Sequence, residues 1–153
     1  MTAEERLRDL GLELPPAPAP VASYVPVVVS GNLAFVSGQV PMAEGKLLWS
    51  GRVGAELDVV AGADAAQRCA LQCLAVLRAE LGSLDRIRRV VKASVFVASA
   101  EGFTEQPKVA NGASDLFVAV WGEAGKHARA AVGCPALPLG APVEVELVVE
   151  IEP

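Results

Sequence analysis

His127 and Arg129 lie two residues apart in the run KHARAAVG. In an extended chain that spacing puts both side chains on one face. Arg129 cannot lose its charge, and its neighbours are Ala, Val and Gly, so it needs a partner. Two partners are open: Glu144 from the segment that follows, or a carboxylate brought by a ligand. A guanidinium that grips a carboxylate through two parallel N–H bonds holds a small acid in one orientation. A glutamate beside that grip could position or activate a water. His127, the single histidine of the chain, fits either a strand-end surface position or acid–base work.

The elements that must position these side chains follow from periodicity. In 143–152, Val143, Val145, Leu147, Val149 and Ile151 alternate with Glu144, Glu146, Val148, Glu150 and Glu152. That period of two predicts a strand with one buried face. The Pro/Gly-rich stretch Pro135 to Pro142 joins it to a preceding strand opened by Arg129. Upstream, Thr2 can cap a short helix ending near Gly11, and the Pro-rich arm Pro15 to Pro20 must be extended. Val21 to Val29 reads as the first strand and Gly31-Asn32 as a hairpin turn. Leu33 to Val36 continues as a second strand into Ser37-Gly38-Gln39, and Pro41 to Gly54 as a polar hairpin or loop.

Ala63 to Leu81 predicts a helix with the apolar stripe Ala66, Ala70, Leu74, Leu77 and Leu81, closed by Gly82. Arg86 to Ala98 predicts a long strand. Phe103 to Gly122 predicts a second helix, interrupted early by Pro107. The order β-β-α-β-α-β-β implies an α+β domain of two layers, a mixed sheet with two helices packed on one face. Runs such as Val27-Val28-Val29 and Ala130-Ala131-Val132 are apolar on both faces. Helices cover one face, so the second is expected to meet other subunits in a closed ring.

Length and composition narrow the function classes. The 153 residues make one domain, 1–153, in which 1–20 form an N-terminal helix and arm. Hydrophobic residues are 52% and aromatics 5%, so the core is built from Ala, Val and Leu. A net charge of −5 argues against nucleic acid as a partner. No run of about 18 apolar residues predicts a membrane span, and the charged start MTAEERLRDLGL lacks a signal peptide's apolar core. Cys69, Cys73 and Cys134 have no metal-ligand spacing and read as reduced thiols of a cytoplasmic protein. Cys69 and Cys73 fit helix packing, and Cys134 fits either burial or an oxidation-sensitive thiol.

The pattern of Arg129, Leu137-Pro138 and Val143-Glu144, preceded by Tyr24 and Ser37-Gly38-Gln39, resembles the RidA/YjgF family, also labelled L-PSP endoribonuclease. The similarity runs from about Ser23 to Glu152. GNLAFVSGQVP, NGASDLF and KHARAAVG resemble a longer subgroup. The resemblance implies a chorismate-mutase-like fold and a homotrimer with clefts between subunits. It implies hydrolysis of enamine or imine acids, such as 2-aminoacrylate, to 2-keto acids and ammonia, without metal or organic cofactor. On that reading Arg129 grips the substrate carboxylate and Glu144 positions or activates the water. Tyr24 closes the cleft from a neighbouring subunit, Gly38 offers a backbone group, and Asn111 takes the family's helix asparagine position. Ala131 stands where well-studied members have a cysteine, and its backbone N–H remains available to a ligand.

Other functions compatible with the same residues are a non-catalytic trimer that binds small carboxylates and a hydrolase acting on another C–N bond. Ribonuclease chemistry is disfavoured, because it commonly needs two groups titrating near neutrality.

Overall fold

The alternating segment becomes the inner strand of a sheet whose neighbours are set by long crossings. The computed structural model describes residues 1–19 and 23–153. Its strands are β1 (Val27–Ser30), β2 (Leu33–Gln39), β3 (Met42–Ala43), β4 (Lys46–Leu47), β5 (Ile87–Ala98), β6 (Ala128–Cys134) and β7 (Val143–Ile151). Its helices are α1 (Ala3–Asp9), α2 (Val59–Leu81) and α3 (Gln106–Trp121). Five strands form one sheet in the order β1-β2-β7-β5-β6, and β3 pairs with β4 in a separate hairpin. The β5–β6 pair is parallel and the rest are antiparallel, so the sheet is mixed.

Val143, Val145, Leu147, Val149 and Ile151 are all buried under the helices. Helix α2 carries the stripe expected of it: Ala66, Ala70, Leu74 and Leu77 are fully buried and Leu81 nearly so. It starts four residues earlier than the apolar pattern predicts, because the Asp58 carboxylate accepts from Ala61 N–H at 2.8 Å and caps it. Gly82 ends it at φ 85°, a left-handed value that favours glycine. Helix α3 begins at Gln106 rather than Phe103. Pro107 sits in its first turn, where a missing N–H costs nothing, and does not interrupt it.

The first strand is shorter than predicted. Val21 and Ala22 lie outside the described residues, and β1 begins at Val27, after Pro26, which has no N–H to give a ladder. The Gly31-Asn32 turn is where the sequence places it, with Ser30 paired to Leu33. Thr2 caps α1 in a reciprocal box with Glu5. Ala3 and Leu7 enter the core, and Arg6 donates to the Val120 carbonyl at 2.7 Å, which fixes α1 against the end of α3.

The open face of the sheet is partly apolar. Val28, Phe35 and Val132 are 52%, 43% and 46% exposed there. Val28 pairs with Phe35 and Phe35 with Val148, and Lys92, Glu146 and Glu150 share the face. Among the described residues, no helix is long and apolar enough to cross a membrane.

Candidate functional site

Arg129 is held by α3. Residue 129 pairs with Ala93 at the start of the edge strand β6, and that register points its side chain to the helix side. Its NH1 donates to Asn111 Oδ1 at 2.8 Å and to Ser114 Oγ at 3.1 Å. Asn111 and Ser114 are three apart on α3 and so share a face. Both hydrogens of NH1 are thereby used. The Nε–H and NH2 edge of the fork is left for a second partner. Neither helix partner is charged, and among the described residues no carboxylate pairs with Arg129. The guanidinium is oriented but not neutralised.

This corrects one expectation. Glu144 is not the intrachain partner of Arg129, because β5 lies between β6 and β7. Arg129 is opposite Ala93, whereas Glu144 is opposite Phe96 and points to the other face of the sheet. Ala131, paired with Val95, follows Arg129 on the helix side and packs against the core. His127 does converge with Arg129: its Nε2 lies 2.9 Å from the same Ser114 hydroxyl.

Glu144 occupies a different cleft of about 430 Å³. Tyr24, Gly38, Gln72 and Leu139 line it with Glu144, and Pro18 and Ala19 bring the N-terminal arm to its wall. The register slips by one residue between Val36 and Gln39, so Ser37 and Gly38 together face one residue of β7. The bulge brings the Gly38 backbone against the Glu144 carboxylate, where a Cβ would stand 2.6 Å from Oε2. Burial, and secondarily the charge of Glu146, raises the Glu144 carboxyl above its ordinary range. Its proton is therefore held more tightly than that of an ordinary carboxyl. Burial, with the Glu144 charge second, also raises the Cys134 thiol above its ordinary value. Cys69 and Cys73 are buried in α2, donate weakly to the Val143 and Val145 carbonyls, and are raised by burial.

The six residues singled out from the sequence thus form two groups. Arg129, Asn111 and Ala131 stand at the β6 edge, while Tyr24, Gly38 and Glu144 stand at the cleft. One chain does not bring the groups together. Sequence reasoning missed Ser114, whose signal is its place three residues after Asn111. It also missed Gln72 and Leu139, which carry no sequence signal. Leu139 is exposed at φ 64° beside the cleft, an uncommon backbone for a bulky residue. Among the described residues, no three His, Cys, Asp or Glu side chains converge as a metal site.

Comparison with known proteins matches residues 4–151 to the model of the YjgF/chorismate mutase-like endoribonuclease family. Protein TCP17 of Trypanosoma cruzi is 51% identical over 146 residues, covering 95% of this chain and 91% of that protein. Protein HMF1 of Saccharomyces cerevisiae is 34% identical, covering 86% of this chain and 87% of that one. The crystal structure of Atu1372 from Agrobacterium tumefaciens superposes with a TM-score of 0.92 at 50% identity. That alignment covers 98% of this chain and 92% of the other.

Proposed function

This chain belongs to the YjgF/chorismate mutase-like family, and from that premise we propose that it hydrolyses reactive 2-imino acids to 2-keto acids and ammonia. The site is a cleft shared by neighbouring subunits of a homotrimer. The observation that carries this reading is that each group lacks what the other holds. Arg129 presents an unused, uncompensated fork at a strand edge. Glu144 presents a half-buried carboxylate in a cleft with no cation among its described lining residues. The β6 edge of one subunit against the cleft of the next would complete the pair.

The chemistry then follows. The substrate carboxylate docks side-on against Nε–H and NH2 of Arg129, the edge that α3 leaves free. An enamine such as 2-aminoacrylate becomes the iminium ion by taking a proton on carbon. Water held by the Glu144 carboxylate adds to the iminium carbon and gives up a proton to Glu144, leaving a hydroxyl and an amine on one carbon. The nitrogen takes that proton back from Glu144 and departs as ammonia, while the hydroxyl passes its own proton to the freed carboxylate and closes to the carbonyl of the 2-keto acid. A carboxyl raised toward neutrality suits both proton steps. Positioning supplies the rest of the acceleration, since the uncatalysed reaction is itself fast.

The test is release of ammonia and 2-keto acid when 2-aminoacrylate is generated in situ. Wild type accelerates release, and Arg129→Ala loses at least about a hundredfold in kcat/KM, roughly 3 kcal/mol, the cost of a charged two-bond clamp. Tight 2-keto acid binding at Arg129 without any acceleration would favour a carboxylate-binding protein instead.

A further inference from the structure

We infer that Ser114 and His127 are positioning residues that hold the Arg129 fork in its ligand-accepting orientation, through a hydrogen-bond relay with one fixed direction. The inference rests on the carboxylate-clamp reading above and adds to it two residues and a tautomer.

The direction follows from donor and acceptor chemistry. His127 Nδ1 lies 2.6 Å from the Gly125 carbonyl oxygen. A carbonyl can only accept, so Nδ1 carries the proton. In the neutral ring Nε2 then has a lone pair, and it accepts the Ser114 O–H at 2.9 Å. With its hydrogen committed to the imidazole, the Ser114 oxygen turns lone pairs outward and accepts from Arg129 NH1 at 3.1 Å. The Asn111 amide oxygen takes the second NH1 hydrogen at 2.8 Å. The opposite tautomer would put a hydrogen on Nε2. Ser114 would then accept from the ring, and its own hydrogen would be free to turn against the guanidinium.

The surroundings are built to keep the ring in place. Phe117 meets His127 edge-on, with centroids 5.6 Å apart and an interplanar angle of 83°. Gly125 is buried, and a Cβ there would overlap the Phe117 carbonyl oxygen, so this backbone is seated tightly on α3. The relay therefore runs from a packed backbone carbonyl, through a half-buried ring and a hydroxyl, to an exposed guanidinium. A free arginine has many rotamers, and an arginine pinned at NH1 presents one edge. Pre-ordering of this kind lowers the entropy lost when a carboxylate docks.

The closing experiment separates this inference from the reading beneath it. Nitrogen NMR in mildly alkaline buffer observes the single histidine without ambiguity. The expected result is protonation at Nδ1 in wild type, against the preference of free imidazole, and the same tautomer in Ser114→Ala, because the Gly125 carbonyl sets it, with the Nε2 signal shifted by loss of the hydroxyl donor. Calorimetry with 2-oxobutanoate as probe should show binding weakened about tenfold by Ser114→Ala and by His127→Phe. Ser114→Thr, which keeps the hydroxyl, and His127→Gln, which keeps an acceptor at the distal position, should restore most of it. In turnover the loss should appear in KM, with kcat within about threefold. Protonation at Nε2 in wild type overturns the relay. So does unchanged 2-oxobutanoate affinity in Ser114→Ala and His127→Phe while Arg129→Ala abolishes binding, and the clamp reading then survives alone. Unchanged affinity in Arg129→Ala overturns both.

Discussion

The Glu144 carboxylate occupies the space that a side chain at residue 38 would fill, with Oε2 2.6 Å from the position of a Cβ on Gly38. The glycine is thus a requirement of the glutamate's placement rather than of the bulge alone. The atom in the way is the far end of a flexible side chain, so Gly38→Ala displaces the carboxylate and spares the fold. We expect kcat/KM for imine hydrolysis to fall by roughly ten- to a hundredfold, since misplacement by about 1 Å has effects of that size. The melting temperature should move by only a few degrees. Full activity in Gly38→Ala would show that the carboxylate works from some other position.

Glu144 also leaves a signature in stability. Its carboxyl is raised in the fold by burial first and by Glu146 second. A raised value means that the folded state holds the proton more tightly than the unfolded chain. The favourable contribution is full below the unfolded value near 4.5 and is lost as pH rises through the folded value. At neutral pH the ionised, half-buried carboxylate is a burden. Glu144→Gln should therefore be more stable than wild type at neutral pH, and the difference should vanish as pH falls below about 4.5. Urea titrations at matched protein concentration measure this. An advantage that grows on acidification would reverse the sign and remove burial as the cause.

Asn111 reaches Arg129 because its neighbour lets two helices touch. A Cβ at Gly112 would overlap the Ala63 carbonyl oxygen of α2, and Gly62 faces Val109 and Val53 in the same crossing. Backbone cannot swing aside as a carboxylate can. Gly112→Ala should cost about 1–3 kcal/mol or more by overpacking. It should also shift α3, so that stability and carboxylate binding fall together. Asn111→Ala, at an exposed position, should weaken 2-oxobutanoate binding with stability within about 0.5 kcal/mol of wild type. Denaturant midpoints and calorimetry on the two variants separate the roles.

Much of this architecture was legible because periodicity reports burial. The alternation of 143–152, the stripe of α2, the Gly31-Asn32 turn and the Gly82 stop each stand where local chemistry puts them. Strand order was not legible. β6 and β7 are consecutive in sequence, but the crossing at 135–142 passes the end of β5, where Pro142 accepts from Ala98 N–H at 2.9 Å. Hence Glu144 stands as one of two open partners of Arg129 in the sequence, although the nearer acceptors lie on α3. The early start of α2 turned on one side chain, Asp58, and β-branched Val59 and Val60 after it mask the helix. Ser114 was hidden for a similar reason: a serine inside a helix pattern gives no sign of what it faces across space.

The separation of Arg129 from Glu144 within one chain leads to the last prediction. Val28, Phe35 and Val132 lie exposed on the sheet face that the helices leave open, with Lys92 and Glu146 among them. If Arg129 and Glu144 work together, this face must bury itself against copies of the chain and carry each β6 edge to a neighbour's cleft. Light scattering should then give a mass near three times 15.8 kDa. Phe35→Glu places a charge opposite Val148 at the centre of that face and should yield monomers. Those monomers should keep the α/β circular dichroism of the wild type, because Phe35 lies outside the helix-covered core. They should lose imine hydrolysis together with assembly, although no residue of either half-site has been altered. A monomeric wild type with full activity would show that one chain suffices, and that the Arg129 fork and the Glu144 cleft serve separate ligands.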